Sequence, residues 1–189
     1  FWSYENADHF IAPCRPLVDY YRRHRQTIRH YHDVGNLWSQ AILETAHCVN
    51  RTEILRRWFS SVEGPKVVAW FDSSFMEARH APSTFREATD WYADLRRLAD
   101  EDPRLRMVIK PSKEAVYYVA DDPGQQWSHP RAGRRLLEVW EALKNHPRVR
   151  FLDRRTDPSL VIAVSDLTIT FPYTSVSAEA LGARRRAIW

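Results

Sequence analysis

The spacing of apolar residues changes about a third of the way along the chain. Up to residue 62, apolar side chains recur at the three- and four-residue spacing of helices, in stripes at residues 17–28, 37–48 and 54–62. Gly64-Pro65 stops the third stripe. Beyond it, apolar residues come in short unbroken runs, which is typical of strands covered on both faces. We therefore predict a helical segment over residues 1–62 and a separate unit over residues 63–189.

The second unit alternates predicted strands with predicted helices. The strands fall at residues 67–71, 107–109, 149–152, 167–171 and 187–189. The helices fall at residues 85–98, 136–143, 157–164 and 177–182, and a loop carrying Asp121-Asp122-Pro123-Gly124 precedes the second of them. Short buried strands that alternate with helices predict an α/β fold with a Rossmann-like, doubly wound parallel sheet.

The sequence ends within the fifth predicted strand, at Trp189. A unit of this kind normally continues from a strand into a helix. We therefore expect the chain to be part of a longer polypeptide that is truncated within this domain. Residues 1–62 are then expected to be a linker or cap at the junction with a preceding domain.

Composition narrows the class of protein. With 44% hydrophobic and 28% charged residues, the chain is not of the disordered type. No apolar run approaches the roughly 18 residues that a membrane-spanning helix needs, and no signal peptide is recognisable. Cys14 and Cys48 give neither a disulfide framework nor a metal-ligand spacing. We therefore expect a cytoplasmic protein.

The net charge of +4 comes from short arginine clusters, such as Arg22-Arg23 and Arg184-Arg185-Arg186. This excess is too small to predict binding to nucleic acid, and we expect no nucleic-acid partner. It suits an anionic ligand or a peripheral association with the anionic inner membrane.

Polar side chains follow the predicted strands. In open parallel sheets, ligands bind beyond the carboxyl ends of the strands. The residues at those ends carry hydroxyls, lysines and arginines, which suit a phosphate-bearing ligand; they are Asp72-Ser73-Ser74, Lys110-Pro111-Ser112-Lys113, Asp153-Arg154-Arg155 and Thr174-Ser175.

The stretch after the fourth strand fits a phosphate site best. Ser175 is the predicted N-cap of the following helix, whose first turn attracts phosphate, and Thr174 and Ser177 add hydroxyls. Glu179 lies four residues after Ser175, whereas a capping box needs three, so it suits ribose hydroxyls. The alternative is that these residues are only caps and turns.

Two charged residues at other strand ends have similar alternatives. Lys110 is either a phosphate-binding residue or an ordinary lysine at the edge of the sheet. Asp72 is either a carboxylate of the site or the cap of the following loop. The common signatures of dinucleotide-binding proteins, P-loop NTPases, α/β-hydrolases and zinc proteases are absent from the sequence.

Residues 165–189, "SDLTITFPYTSVSAEALGARRRAIW", resemble the nucleotide-binding, C-terminal half of GT-B glycosyltransferases. The likeness is greatest to bacterial capsule and surface-polysaccharide transferases, including the Kdo-transferase-like group and related glycerophosphotransferases. The stretches "VVAWFDSSF" and "RMVIKPSKE" resemble the first two strand ends of that half, so the resemblance covers about residues 60–189.

The resemblance implies a glycosyltransferase of cell-surface polysaccharide or lipid-linked glycan synthesis, with a nucleotide-sugar donor at these strand ends. Thr174 and Ser175 would hold the donor phosphate, with Ser177 beside them, Glu179 would hold the ribose, and Lys110 would meet the phosphate or leaving group. The glycan acceptor and the catalytic base would belong to a missing N-terminal GT-B domain, although Asp72 is a possible catalytic residue. No metal or other cofactor is expected, and the chain alone is expected to be inactive.

Two departures from the family pattern keep alternatives open. Members that use CMP donors often carry His-Pro after the second strand, where this chain has Pro111-Ser112, so the nucleotide is not predicted. The triplet Arg184-Arg185-Arg186 stands where a Gly-Lys turn is common. The alternatives are a CDP-glycerol-type glycerophosphotransferase and a non-catalytic Rossmann-like binding module.

Overall fold

The computed structural model describes residues 8–24, 28–60, 66–73, 75, 83–119, 129–171 and 174–189. Its helices are α1 (Arg15–His24), α2 (Leu37–Cys48), α3 (Arg51–Trp58), α4 (Phe85–Glu101), α5 (Val116–Val119), α6 (Pro130–Lys144), α7 (Pro158–Val164) and α8 (Ser175–Gly182). Its strands are β1 (His9–Ala12), β2 (His30–Asp33), β3 (Lys66–Asp72), β4 (Leu105–Lys110), β5 (Val149–Phe151), β6 (Leu167–Phe171) and β7 (Ala187–Ile188). From β3 onward strands and helices alternate, which confirms the predicted α/β class.

Five strands form one parallel sheet in the order β5-β4-β3-β6-β7. The chain builds outward from β3 to β5 on one side and then returns to place β6 on the other side of β3. The strand order therefore reverses between β3 and β6, and open parallel sheets bind ligands beyond the strand ends at such a reversal.

Helices cover both faces of the central strands. Val67, Ala69 and Phe71 of β3 pack in one core cluster with residues of α2, α3, α7 and α8. Trp70 of β3 and Ile109 of β4 pack in a second cluster with residues of α4 and α6. Because both faces are buried, these strands read as continuous apolar runs in the sequence.

Local capping fixes where the helices on these faces begin. At α4, Thr84 and Glu87 form a reciprocal capping box. At α6, the His129 ring accepts a hydrogen bond from the Ala132 N–H at 3.2 Å. At α7, Asp157 accepts from the Ser159 N–H at 2.8 Å. α4 and α7 each follow a strand, so their capped ends lie toward the edge of the sheet where the strands finish.

The first described residues differ from the predicted all-helical segment. β1 and β2 pair in parallel, with His9 opposite His30, and α1 joins them. The predicted helix through residue 28 is described as α1 up to His24, and Ile28 packs with Phe10, Ala12 and Val18. The strands were not predicted because their histidines are exposed, so the two strands lack an apolar run.

The remaining helices of this segment are part of the main unit. Ile42 of α2, Leu55 of α3 and Phe59 pack in the same core cluster as β3. Within the predicted loop after β4, residues 116–119 form the short helix α5. Gly64-Pro65 and Asp121-Asp122-Pro123-Gly124 lie outside the described residues.

Gly133→Ala should destabilise the fold far more than Gly35→Ala. A Cβ on Gly133 of α6 would lie 2.2 Å from the backbone oxygen of Tyr118, so α5 and α6 must separate, which typically costs roughly 1–3 kcal/mol or more. Gly35 has a φ of 75° but open space around it, and only backbone strain of about 1 kcal/mol is expected there. Urea unfolding of both variants measures the difference, and equal losses would contradict the close approach of α5 to α6.

Candidate functional site

The strand ends bring the predicted site residues to one edge of the main sheet, hereafter the carboxyl edge. β3 ends at Asp72 and β4 at Lys110, and α8 begins shortly after β6 ends at Phe171. The backbone N–H of Ser73 donates to the carbonyl oxygen of Phe171 at 2.9 Å. This hydrogen bond ties the ends of β3 and β6 together at the point where the strand order reverses.

Asp72 is buried at the end of β3, with 6% of its surface exposed. Its Oδ2 accepts a hydrogen bond from the Tyr92 hydroxyl at 2.6 Å, and its Oδ1 accepts one from the backbone N–H of Ser112. Burial raises the pKa of Asp72 to about 6, although the hydrogen bonds and the charge of Lys110 act in the opposite direction. The carboxyl group thus joins β3, α4 and the loop after β4 from a buried position.

Two more hydroxyls lie buried near this carboxyl group. Ser112 Oγ and Tyr118 OH have no hydrogen-bond partner of good geometry among the described residues. Burial, together with the Asp72 charge, raises the pKa of Tyr118, and burial does the same for Tyr92. This network was not predicted from the sequence, because Tyr92 falls on an apolar helical stripe and Tyr118 falls in a predicted loop.

Lys110 lies half-buried at the end of β4. Side chains alternate along a strand, so Lys110 points to the same face as Val108, which packs with α7 and α8. Its Nζ donates to the carbonyl oxygen of Arg154 at 2.8 Å. Burial lowers the pKa of Lys110, and the charges of Asp72, Asp153 and Asp157 partly offset this. Lys110 is thus at the predicted edge, held toward the loop after β5.

The N-cap of α8 lies one residue before the predicted position, Ser175. Thr174 is the N-cap, and Ser175 is the exposed first residue of the helix. An N-cap threonine normally accepts a hydrogen bond from an N–H of the first turn, but the Thr174 hydroxyl makes no such bond. The N–H of Ser177 donates instead to the Thr174 carbonyl oxygen at 3.1 Å. Thr174 Oγ1 is buried and unpaired among the described residues.

Ser177 differs from its predicted role as a ligand hydroxyl. It is fully buried, and its Oγ shares a short hydrogen bond with Oγ1 of Thr170 on β6. The hydroxyl is therefore used to hold α8 against the sheet and is not available to a ligand at the carboxyl edge.

The sequence matches a known protein family along nearly its whole length. The family of polysaccharide biosynthesis PFTS motif proteins matches residues 2–189. The chain belongs to this family. No curated protein matches it in sequence.

The motif in the family's name coincides with the start of α8. Residues 172–175 read Pro-Tyr-Thr-Ser, which differs from Pro-Phe-Thr-Ser only in the aromatic residue, and no other part of the sequence comes as near. Pro172 and Tyr173 lie outside the described residues, whereas Thr174 and Ser175 are the N-cap and first residue of the helix. In this PFTS-family chain, the last two residues of this stretch therefore lie where the strand order of the sheet reverses.

Solved structures share the fold of this PFTS-family chain. A variant of the wall teichoic acid polymerase TagF soaked with CDPG matches at a TM-score of 0.56 and 14% identity, over 95% of this chain and 37% of that chain. A UDP-forming α,α-trehalose-phosphate synthase from Burkholderia vietnamiensis matches at 0.50 and 15%, over 93% and 42%. The chain thus spans less than half of either structure. These similarities confirm the predicted Rossmann-like GT-B half-domain, while the Kdo-transferase-like assignment stays a prediction.

Glu179 lies one helical turn after Ser175, on the same side of α8. With Thr174 as the cap, the capping-box position is Ser177, so Glu179 is not a capping acid, as predicted. Its carbonyl oxygen accepts a hydrogen bond from Ser39 Oγ at 2.8 Å. A Cβ on Gly182 would lie 2.2 Å from the same oxygen of Ser39, so α8 packs closely on the first turn of α2.

The first turn of α2 also borders a cavity of about 230 Å³ at the carboxyl ends of β1 and β2. Trp38 lines it and is 71% exposed, beside Leu37, which is 69% exposed. Trp38 falls in the predicted helical apolar stripe at residues 37–48, but the spacing of apolar residues alone does not distinguish a buried from an exposed face. The side chains of Leu37 and Trp38 therefore form an apolar surface that faces solvent next to α8.

Neither a metal-binding cluster nor a membrane-spanning helix occurs in the described part of the chain. Within the ranges given above, no group of three or more His, Cys, Asp or Glu side chains is placed to hold a metal ion. Among the same residues, no helix combines the length and the apolar character needed to cross a bilayer. Metal-independent chemistry and a cytoplasmic location both stay predictions.

Proposed function

We propose that this PFTS-family chain is the donor-binding half of a glycosyltransferase. It transfers a sugar from a nucleotide-sugar donor to a growing cell-surface polysaccharide or lipid-linked glycan. The observation that carries the proposal is the hydroxyl of Thr174. Thr174 is the N-cap residue of α8 and lies where the strand order reverses, but its hydroxyl has no hydrogen-bond partner among the described residues. A buried hydroxyl without a partner is costly, and a donor phosphate would supply the missing acceptor.

The first turn of α8 supplies the rest of the phosphate site. Its free N–H groups and the positive end of the helix dipole attract an anion, and the exposed Ser175 adds a hydroxyl. Lys110 points to the same face of the sheet and adds positive charge. Glu179, one turn further on, accepts hydrogen bonds from the ribose of the donor.

Asp72 acts in this proposal as a positioning residue. Both of its oxygens accept hydrogen bonds, and it holds the backbone N–H of Ser112, two residues after Lys110. It therefore fixes the loop that follows Lys110 at the carboxyl edge. The catalytic base and the acceptor site belong to the other half of the enzyme, so the isolated chain has no turnover.

The proposed chemistry needs no metal ion. As the sugar is transferred, negative charge develops on the nucleotide leaving group. Preorganised N–H groups and cationic side chains stabilise such charge when they are aimed at the leaving oxygen. The first turn of α8 and Lys110 are the groups of this chain that can do so.

A donor titration tests the proposal. Nucleotide-sugar donors with cytidine, uridine or guanosine are added to the 189-residue chain, and thermal unfolding is followed. A bound donor at a hundred times its Kd should stabilise the chain by about 2.7 kcal/mol. The base that gives the shift defines the donor class, and a shift with CDP-glycerol alone would favour glycerophosphate transfer. The proposal is refuted if no nucleotide-linked ligand shifts the transition.

Thr174→Val should separate binding from folding. The substitution replaces an unpaired hydroxyl with a methyl group of similar size, so the free energy of unfolding should change by less than about 1 kcal/mol. Donor affinity should fall about tenfold, because one hydrogen bond to a charged phosphate is lost. Ser159→Ala on α7 is the matched control, and it should leave donor affinity unchanged. Unaltered affinity in Thr174→Val would remove this hydroxyl from the site.

A further inference from the structure

A second cleft, of about 580 Å³, opens at the amino ends of the strands, opposite the carboxyl edge. Its apolar floor is formed by Val68, Leu105 and Leu167, at or near the starts of β3, β4 and β6. β3 has seven residues, which span about 20 Å at the rise of a strand. A ligand in this cleft is therefore well separated from the donor site.

The cleft is strongly basic. Lys66, Arg184, Arg185 and Arg186 line it, and none of them forms an ion pair with another described residue. The carboxylate in its lining, Asp166, is already engaged. Its Oδ2 accepts hydrogen bonds from the Arg51 guanidinium and from the backbone N–H of Val67, each at 2.8 Å. Four cations thus face the cleft with no free counter-charge in its lining.

Arg184 has a backbone conformation that is unfavourable for a residue other than glycine. Its φ of 56° is in the left-handed region, just after α8. The N–H of Arg184 donates to Leu181 and that of Arg185 to Ala180, which is the Schellman arrangement. Glycine is the residue best suited to this position, so arginine costs about 1 kcal/mol of backbone strain. A strained residue is a reason to look for a role besides stability.

We propose that the cleft formed by Lys66, Arg184, Arg185 and Arg186 binds a phosphate group. Guanidinium groups hold phosphate through paired, charge-assisted hydrogen bonds, and a multiply charged phosphate matches several converging cations. The apolar floor leaves room for an uncharged part of the same molecule. The phosphate belongs either to a free phosphate compound or to the headgroup of an anionic lipid.

Two probes distinguish these sources. Pyrophosphate binding is measured by calorimetry, and phosphatidylglycerol vesicles are measured by co-sedimentation, with phosphatidylcholine vesicles as the neutral comparison. Both experiments use a Ser175→Glu background, which places a negative charge at the carboxyl edge and keeps the probe out of the donor site. Binding of pyrophosphate alone assigns a free phosphate compound, and binding of the anionic vesicles assigns a lipid headgroup.

Variants of the cleft decide whether the probe binds there. Lys66→Gln combined with Arg186→Gln should weaken binding at least about tenfold, since two charge-assisted contacts are lost. Arg184→Gly should weaken binding several-fold and raise the melting temperature, because glycine relieves the positive φ. A residue that serves only as a helix cap would show the second effect without the first.

Arg135→Gln is the control. Arg135 lines a different cavity, between α4 and α6, together with Arg86 and Arg131, so its loss should leave probe binding intact. The proposal is overturned if neither probe binds, if the cleft variants bind as tightly as their background, or if Arg135→Gln weakens binding equally.

Discussion

Asp72→Asn should remove a pH dependence of stability worth about 3 kcal/mol between roughly pH 4 and pH 6. Burial raises the pKa of Asp72 from 3.8 to about 6 in the folded chain, whereas the unfolded chain releases this proton near 3.8. Between these values the folded state binds more protons than the unfolded state. The contribution of Asp72 to the free energy of unfolding is therefore highest below pH 3.8 and falls as the pH rises to about 6.

The asparagine variant retains the hydrogen bonds while it removes the titration. Its amide oxygen can accept from the Ser112 N–H, and its amide nitrogen can donate to the Tyr92 oxygen. Denaturant unfolding of both proteins at pH 4, 5, 6 and 7 gives the difference curve. Glu87 and Asp102, whose pKa values are lowered by hydrogen bonds, act with the opposite sign but cancel in that difference.

Tyr92→Phe should make the free energy of unfolding more dependent on pH, whereas Asp72→Asn makes it less dependent on pH. The Tyr92 hydroxyl lowers the pKa of Asp72, so its removal should raise that pKa, extend the fall of stability to higher pH and enlarge its total size. Parallel curves for the parent chain and Asp72→Asn would contradict the raised pKa of Asp72 in the folded chain.

The main sheet could be predicted because its central strands, β3 and β4, are buried on both faces. β6 has the predicted bounds, Leu167–Phe171, and β3 and β4 extend the predicted runs by one or two residues at either end. Their apolar runs follow from burial, and the alternating helices follow from the crossovers that parallel strands require. β1 and β2 could not be predicted in this way, because one face of each strand carries exposed histidines.

The carboxyl edge could be predicted as a location but only partly as a set of contacts. The strand-end rule placed Asp72, Lys110 and Thr174 at one edge. It did not show that Asp72 is paired with Tyr92 or that Ser177 is paired with Thr170, because these partners come from other elements. Which hydroxyl is used for packing, and which is left for a ligand, depends on tertiary contacts that spacing does not encode.

Ser175→Glu should abolish donor binding while it leaves the fold at least as stable as before. Ser175 is the exposed first residue of α8, where a carboxylate interacts favourably with the helix dipole, by about 0.3–1 kcal/mol. The same carboxylate would stand where the donor phosphate is proposed to bind. Like charges about 4 Å apart near a protein surface repel by about 4 kcal/mol, so donor affinity should fall at least about a hundredfold.

Two further variants separate charge from shape and from stability. Ser175→Gln is as long as the glutamate but neutral, so it should lose much less affinity if repulsion of phosphate is the cause. Thr52→Glu adds a carboxylate to the first turn of α3 and should leave donor affinity unchanged. Calorimetric titration of the donor class found by thermal shift compares all three with the parent chain. If Ser175→Glu binds the donor as well as the parent chain, the phosphate does not lie at the start of α8, and the PFTS motif must serve another purpose.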